Sequence, residues 1–136
     1  MEVKIKSLSP IPTQGTEEAA GYDIQSVEYV TLRSFENKQI RTGLYIQMPP
    51  GTHGTLIGRS SMGSRSLLVF PAKIDSDYRG EIMVQVINLS EDDRIIMPGD
   101  RIAQIEFGKH EKAEFVVADE LDPSDRGTGG FGSTGR

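Results

Sequence analysis

Short alternations of apolar and polar residues recur along the chain, and none extends into a convincing helix of ten residues or more. Side chains that alternate with a period of two are typical of strands with one buried face. Runs with this pattern, or rich in β-branched and aromatic residues, are 3–6, 27–32, 40–48 around Gly43, 55–57, 67–70, 82–89, 101–107 and 114–117. Turn-forming residues at 49–51, 92–93 and 98–100 separate several of them. The sequence therefore predicts an all-β, single-domain, jelly-roll-like fold with little helix.

Two segments stand apart from this pattern. Residues 60–66 favour one brief helical turn, and the serines at its start are suited to capping it. Between residues 125 and 136 there are five glycines and a single large apolar residue, Phe131. Such a stretch buries too little apolar area to offset its own ordering entropy. We therefore expect a β domain over residues 1–121 and a flexible, glycine-rich C-terminal lid over residues 122–136.

Composition narrows the possible partners. The chain has 136 residues, the size of one domain, with 36% hydrophobic and 26% charged residues and a net charge of −5. An acidic chain has no general attraction for nucleic acid. The absence of cysteine excludes disulfides and thiolate metal sites, and with only two histidines a histidine metal cluster is not expected. No apolar run approaches a membrane span and no signal segment is visible, so we expect no membrane partner and a cytoplasmic or otherwise intracellular location.

The lid carries groups that suit a nucleotide. Its glycines let backbone N–H groups approach an anion, and Ser133 and Thr134 add hydroxyl donors. Arg126 can form paired hydrogen bonds with phosphate oxygens, and Phe131 offers a face on which a base can stack. A glycine-rich end is more often a disordered terminus when it is taken alone. The order of the side chains here favours a lid that closes over phosphates.

Three further segments contain candidate chemistry, each with an ordinary structural alternative. Arg59, Ser60 and Ser61 would form an anion site before the helical turn, or simply a capped surface turn. Asp75 and Asp77 are spaced to face the same way on an extended strand, where one can act as a general base, and the alternative is a solvated turn. Tyr78 can pack against a sugar, and Gln104 is an amide where its strand should be apolar.

The order of these segments resembles the five motifs of the trimeric deoxyuridine triphosphatase (dUTPase) family, across nearly the whole chain. The first motif is similar to Ala20-Gly21-Tyr22-Asp23-Ile24 and the second to Arg59-Ser60-Ser61-Met62. The third is similar to residues 74–80 (Ile-Asp-Ser-Asp-Tyr-Arg-Gly) and the fourth to residues 99–104 (Gly-Asp-Arg-Ile-Ala-Gln). The fifth is similar to Arg126-Gly127 and residues 130–135 (Gly-Phe-Gly-Ser-Thr-Gly). Motifs three to five are specific, whereas the first two are short.

The resemblance implies hydrolysis of dUTP to dUMP and pyrophosphate by a homotrimer whose three active sites each use all three chains. Asp75 would activate water for attack on the α-phosphorus, and Tyr78 would lie under the deoxyribose. Mg²⁺ would be held mainly by substrate phosphates and water, with no direct protein ligand. The substrate-binding residues implied are Arg59, Ser60, Ser61, Ala72, Ile74, Tyr78, Met83, Gln104, Arg126, Phe131, Gly132, Ser133 and Thr134. Within this set, the residues that would hold phosphate oxygens are Arg59, Ser60 and Gln104. The backbone of Ala72 and Met83 would face uracil, and Phe131 would stack on the base. The residues that would close on the β and γ phosphates are Arg126, Ser133 and Thr134.

The chain departs from the family pattern at two places. Gly58 stands where the second motif usually has proline. The family usually has a glycine-rich hairpin before the third motif, and here that stretch reads Phe70-Pro71-Ala72-Lys73-Ile74. Pro71 lacks a backbone donor, and Lys73 adds a charge. The sequence therefore predicts intact phosphate chemistry with altered contacts to uracil.

Two other functions stay open at this point. A non-catalytic nucleotide-binding module that uses the fold for signalling would explain the altered hairpin, although the presence of Asp75 and Tyr78 argues for catalysis. A related deoxycytidine triphosphate deaminase would need a positioned acid or base for the ring amine, and no segment matches that need.

Overall fold

A computed structural model describes residues 1–133 and 135 of the chain, and within them it places twelve short strands and one short helix. The strands are β1 (Lys4–Ser7), β2 (Thr13–Gln14), β3 (Tyr22–Gln25), β4 (Val30–Leu32), β5 (Asn37–Arg41), β6 (Leu44–Gln47), β7 (Thr52–Gly58), β8 (Leu67–Val69), β9 (Ala72–Asp75), β10 (Met83–Asn88), β11 (Arg94–Ile96) and β12 (Arg101–Lys109). The helix α1 covers Ser60–Ser64. The prediction of an all-β fold with little helix is confirmed.

Every strand pair is antiparallel, and the largest sheet has the order β2-β3-β12-β7-β9. A second sheet has the order β5-β10-β8, and the pairs β1-β6 and β4-β11 complete the set. Alternating side chains of β7, β10 and β12 point inward, as their alternating burial shows. The core between the sheets contains Ile24, Leu32, Ile40, Leu44, Leu56, Leu67, Ile82, Val84, Val86, Ile96 and Ile102.

Several sequence predictions need correction. The run at 27–32 becomes a strand only from Val30, and β2, β3, β9 and β11 lie outside the predicted runs. The run at 114–117 forms no strand in this chain, since no neighbouring strand pairs with it, and the side chains of Phe115 and Val117 are almost fully exposed. Residues 110–121, which we call the arm, leave the sheet after β12. No helix within the described residues is both long and apolar enough to cross a membrane.

Candidate active site

A cluster of two arginines and one carboxylate forms where β3, β7 and β12 meet. Arg59 follows the last residue of β7, and its Nε lies 2.9 Å from Oδ1 of Asp23 on β3. Arg101 starts β12 and places a guanidinium nitrogen 3.6 Å from Oδ2 of the same carboxylate. The Asp23 side chain is 12% exposed, so this ion pair is partly shielded from water. Two cations around one anion leave a positive charge that suits a phosphate.

Gln104 joins this cluster from the middle of β12. It lies opposite Asp23 on one side and Ile57 on the other, and its Nε2 donates to the Gly58 carbonyl at 3.3 Å. A Cβ at Gly21 would clash with Oε1 of Gln104, so the amide occupies space that only glycine leaves free. Segments 20–24, 58–61 and 99–104 therefore converge on one site, as their motifs suggested.

The start of α1 differs from the sequence expectation. Arg59, not a serine, is the N-cap residue, and no side chain caps the helix. Ser60 and Ser61 are exposed, and the hydroxyl of Ser61 accepts a hydrogen bond from the Arg59 guanidinium at 3.4 Å. Both serines are thus exposed beside the arginine cluster, and neither caps the helix. They are therefore accessible to a ligand held by Arg59.

Asp75 and Tyr78 lie at the other end of the same sheet. Asp75 is the last residue of β9, and a turn follows in which the Tyr78 amide donates to the Asp75 carbonyl at 3.1 Å. Asp77 lies inside this turn, so the expectation that both carboxylates share one face of a strand is wrong. The Tyr78 hydroxyl donates to the Glu81 carbonyl at 2.8 Å, and a Cβ at Gly80 would clash with that hydroxyl. The tyrosine ring is thus held in place with 44% of the residue exposed.

Ala72 on β9 and Met83 on β10 lie on strands that do not pair with each other, and we call the space between these two residues the gap. The β8–β10 register ends at Val69 opposite Val86, and the Phe70 amide still donates to the Gln85 carbonyl at 2.9 Å. The same register, continued, brings Ala72 opposite Met83. Alternation along an antiparallel ladder turns the backbone groups of both residues toward the gap. No backbone hydrogen bond joins them among the described residues, because β9 has moved across to pair with β7.

The same alternation explains Pro71 and Ile74. The backbone of Pro71 faces β7, so its missing N–H removes no donor from the gap. Ile74 lies opposite Gly54 and its side chain is 8% exposed, buried in the core. Only the backbone of Ile74 is therefore available to a ligand, and its side chain cannot serve as a contact.

Asp75 and the arginine cluster are far apart within one chain. Asp75 lies opposite His53 near the start of β7, whereas Arg59 follows the end of that strand. The extended chain between His53 and Arg59 spans about 20 Å at about 3.3 Å per residue. This distance exceeds the reach of the two side chains. One chain alone does not bring Asp75 and Arg59 to the same phosphate.

The lid residues lie outside both groups. Arg126 Nε donates to the Gly129 carbonyl at 2.6 Å, and the Ser133 hydroxyl accepts from the Gly130 amide at 2.8 Å. Among the residues that the structure describes, the hydrogen bonds of segment 122–133 stay within the segment or join it to Gly135. Phe131 and Gly132 both have positive φ, and Phe131 is fully exposed. Thr134, also predicted as a site residue, lies outside the described residues.

Three pairs of residues beside these sites were not among the predicted site residues. Asp23 and Arg101 belong to motif-like segments, but an acid and an arginine after turn residues are ordinary in any sequence. Lys73 Nζ donates to the hydroxyl of Thr55 at 2.6 Å. The rings of His53 and His110 approach with 3.1 Å between their Nδ1 atoms. These last two pairs join segments distant in sequence, so no local pattern reveals them.

Comparison with known proteins places the chain among nucleotide hydrolases. A family profile described as dUTPase matches residues 8–135. A deoxyuridine 5'-triphosphate nucleotidohydrolase of Finegoldia magna is 40% identical, with 99% of each chain covered. The enzyme of that name from Paramecium bursaria Chlorella virus 1 is 41% identical over 97% of this chain and 94% of its own length. A mutant dUTPase of Staphylococcus bacteriophage 80alpha, solved with dUpNHpp, has a TM-score of 0.93 at 26% identity, with 99% of each chain covered. The chain belongs to the dUTPase family.

Proposed function

We propose that this protein is a dUTP diphosphatase, which hydrolyses dUTP to dUMP and pyrophosphate. The observation that carries the proposal is the convergence of segments 20–24, 58–61 and 99–104 on one arginine-rich cluster, in a chain of the dUTPase family. The relatives named above are deoxyuridine triphosphate nucleotidohydrolases along nearly their whole length. The remaining site residues have placements that suit distinct parts of the same substrate.

Asp75 is the proposed base. Its exposed carboxylate at the end of β9 accepts a proton from water, and the water oxygen forms a bond to the α-phosphorus. The bond from that phosphorus to the bridging oxygen breaks, and pyrophosphate leaves with the electron pair. An aspartate is a weak base, so much of the rate must come from positioning. The turn that follows Asp75 supports this positioning, because the Tyr78 amide donates a hydrogen bond to the Asp75 carbonyl.

Uracil is proposed to enter the gap between Ala72 and Met83. The unpaired backbone N–H and C=O groups there offer donors and acceptors at fixed spacing, as a complementary base would. Pro71 takes nothing away from this gap, since its backbone faces β7. The altered stretch before Asp75 therefore keeps the groups needed for base selection. The fixed ring of Tyr78 would lie against the deoxyribose and leave no room for a 2′-hydroxyl.

The phosphates are proposed to bind Arg59, Ser60, Ser61 and Gln104 of another subunit. From Ala72 to Asp75, β9 leads away from Arg59 of the same chain, and the level of Asp75 along the sheet is about 20 Å from that arginine. A substrate with its base at Ala72 therefore has its phosphates directed away from that arginine. A second copy must supply the cluster, which supports a homotrimer with shared sites.

The arm also supports assembly. Four apolar residues of the arm are at least 78% exposed, which is unusual for so many within one short segment: Phe115, Val116, Val117 and Leu121. An apolar groove of about 470 Å³ lies beside β1 and is lined in part by Val3, Ile5, Ile11, Tyr22 and Phe107. We propose that the arm of one subunit packs on another, which would carry the lid residues Arg126, Phe131, Gly132, Ser133 and Thr134 toward a neighbouring site.

Mg²⁺ is the proposed cofactor. No group of three or more His, Asp or Glu side chains among the described residues is arranged to hold a metal ion. In this proposal the ion is bound mainly through phosphate oxygens and water, which Mg²⁺ prefers in nucleotide sites. When bound, Mg²⁺ would neutralise part of the triphosphate charge, together with Arg59 and Arg126.

Substrate-resolved kinetics test the function. Pyrophosphate release would be measured with dUTP, dTTP, dCTP and UTP in the presence of Mg²⁺. We expect turnover of dUTP at about 1 s⁻¹ or faster, with the other three much slower, and severe loss in Asp75→Asn. Tight binding of dUTP without turnover would favour a signalling module, and ammonia release from dCTP would favour a deaminase. Equal rates for the parent and Asp75→Asn would remove the proposed mechanism.

A further inference from the structure

A lysine side chain adds a contact to the ladder that pairs β9, the strand with the proposed uracil contacts, with β7. Lys73 lies directly between Ala72 and Ile74 on β9, opposite Thr55 on β7. Its Nζ donates to the Thr55 hydroxyl at 2.6 Å, a short, charge-assisted hydrogen bond. Lys73 shares the outer face of the sheet with Asp75, two residues further along the strand.

The Lys73–Thr55 hydrogen bond lies just after the point where the chain leaves β10 and begins to pair with β7. Up to Phe70 the chain pairs with β10, and from Ala72 onward it pairs with β7. By the ladder alternation, the backbone of Lys73 also faces β7 and Thr55. Both the main chain and the side chain at this position therefore tie β9 to β7. The Lys73 side chain therefore adds to the pairing that holds β9 on β7, on the side of β9 opposite the gap.

We propose that Lys73, through Thr55, is a positioning residue that sets the width of the base-binding gap and so the selectivity for uracil. This inference rests on the proposed function. Both residues are at least partly exposed, so the bond competes with water and its effect is moderate. Loss of a charge-assisted hydrogen bond at such a position corresponds to about a threefold to tenfold change in affinity.

The test uses a pair of near-isosteric substitutions. Thr55→Val removes the hydroxyl and keeps the shape, whereas Thr55→Ser keeps the hydroxyl. These are compared with Lys73→Met and with the double variant Lys73→Met/Thr55→Val. Lys38→Met is the matched control, because Lys38 donates to the Thr31 carbonyl at 3.0 Å on a different sheet. The readouts are the Kd of dUMP by calorimetry, and kcat and KM for dUTP and dCTP.

We expect Thr55→Val and Lys73→Met each to raise the Kd of dUMP and the KM for dUTP by about threefold to tenfold, with kcat within about twofold. The preference for dUTP over dCTP should fall in the same variants. The double variant should be no worse than either single one, since the same bond is lost. Thr55→Ser and Lys38→Met should match the parent. If Thr55→Val fails to fold, Lys73→Arg, which retains a donor, should restore what Lys73→Met loses.

Two results would overturn the inference. Unchanged dUMP affinity in Thr55→Val, together with weaker dUTP binding in Lys73→Met, would mean that Lys73 contacts phosphate directly. Unchanged dUMP affinity and unchanged KM for dUTP in both Thr55→Val and Lys73→Met would mean that the Lys73–Thr55 hydrogen bond has no role in the site. Failure of the proposed function would show separately, as a parent protein that binds dUMP but releases no pyrophosphate. The dUMP affinities would still test Lys73 in that case.

Discussion

Replacing Asp23 by asparagine isolates the contribution of the ion pair to the phosphate cluster. The amide keeps the shape of the carboxylate and removes the charge that orients Arg59 at 2.9 Å. The amide oxygen in Asp23→Asn can still accept one hydrogen bond from the guanidinium, so the fold should survive. Arg59, with its side chain 24% exposed, would then sample other rotamers. Substrate would have to reorder it on each binding event.

The magnitude follows from the exposure of the partners. A hydrogen bond to a charged group contributes about 1.5–3 kcal/mol, and at 12% exposure the Asp23 carboxylate should lie within that range. The 3.6 Å contact to Arg101 adds little, since that side chain is 56% exposed and screened by water. Because the asparagine amide keeps a neutral hydrogen bond worth about 0.5–1.5 kcal/mol, the loss is about 1–1.5 kcal/mol, and kcat/KM for dUTP falls about 5- to 13-fold.

The assay is continuous detection of pyrophosphate with the parent, Asp23→Asn and a matched Glu36→Gln control. Glu36 forms an exposed ion pair with Lys38 at 3.4 Å, away from the cluster, and a hydrogen bond from the Arg33 backbone lowers its pKa. Glu36→Gln should keep full activity. An Asp23→Asn enzyme with kcat/KM within about twofold of the parent, and an unchanged unfolding midpoint, would refute the role given to the ion pair.

Three further predictions concern separate parts of the molecule. Gly21→Ala should leave stability nearly unchanged, because the flexible end of Gln104 can move away, yet it should lower kcat/KM about tenfold because the amide is displaced. Urea unfolding and kinetics would check the two expectations, and normal activity would contradict the phosphate-binding role of Gln104. Asn88→Leu should lose about 2–4 kcal/mol of stability in urea unfolding, since Asn88 is fully buried with four hydrogen bonds. A chain truncated after Pro123 should remain a folded trimer by sedimentation but hydrolyse dUTP far more slowly, and full activity would end the assignment of the lid.

The sheet elements were predictable where burial alternates within the run itself. The predicted run at 55–57 lies within β7 and the run at 82–89 contains β10, and burial alternates along both strands. The run at 40–48 is divided at Gly43 between β5 and β6. β9 was not predicted from the sequence, since only Ile74 of its four residues is buried. The run at 114–117 has strand-like residues, but a strand also needs a neighbour, and a single chain provides none.

The site was predictable as a set of residues but not as a geometry. The spacing of Asp75, Tyr78 and Gln104 marks a family whose chemistry is known. Sequence alone could not reveal that the strand ends at Asp75 and that Asp77 lies in the turn after it. Neither could it show that Pro71 faces β7, since that depends on the register between strands distant in the chain.

Complementation between two inactive variants tests the central claim, that Asp75 of one subunit and Arg59 of another form one hydrolytic site. Asp75→Asn and Arg59→Ala chains would be co-expressed in equal amounts, and pyrophosphate release from dUTP measured against each variant alone. With random assembly, a site is complete when one subunit retains Asp75 and its neighbour retains Arg59, so we expect about a quarter of the parent activity. A mixture no more active than the separate variants would contradict the shared site.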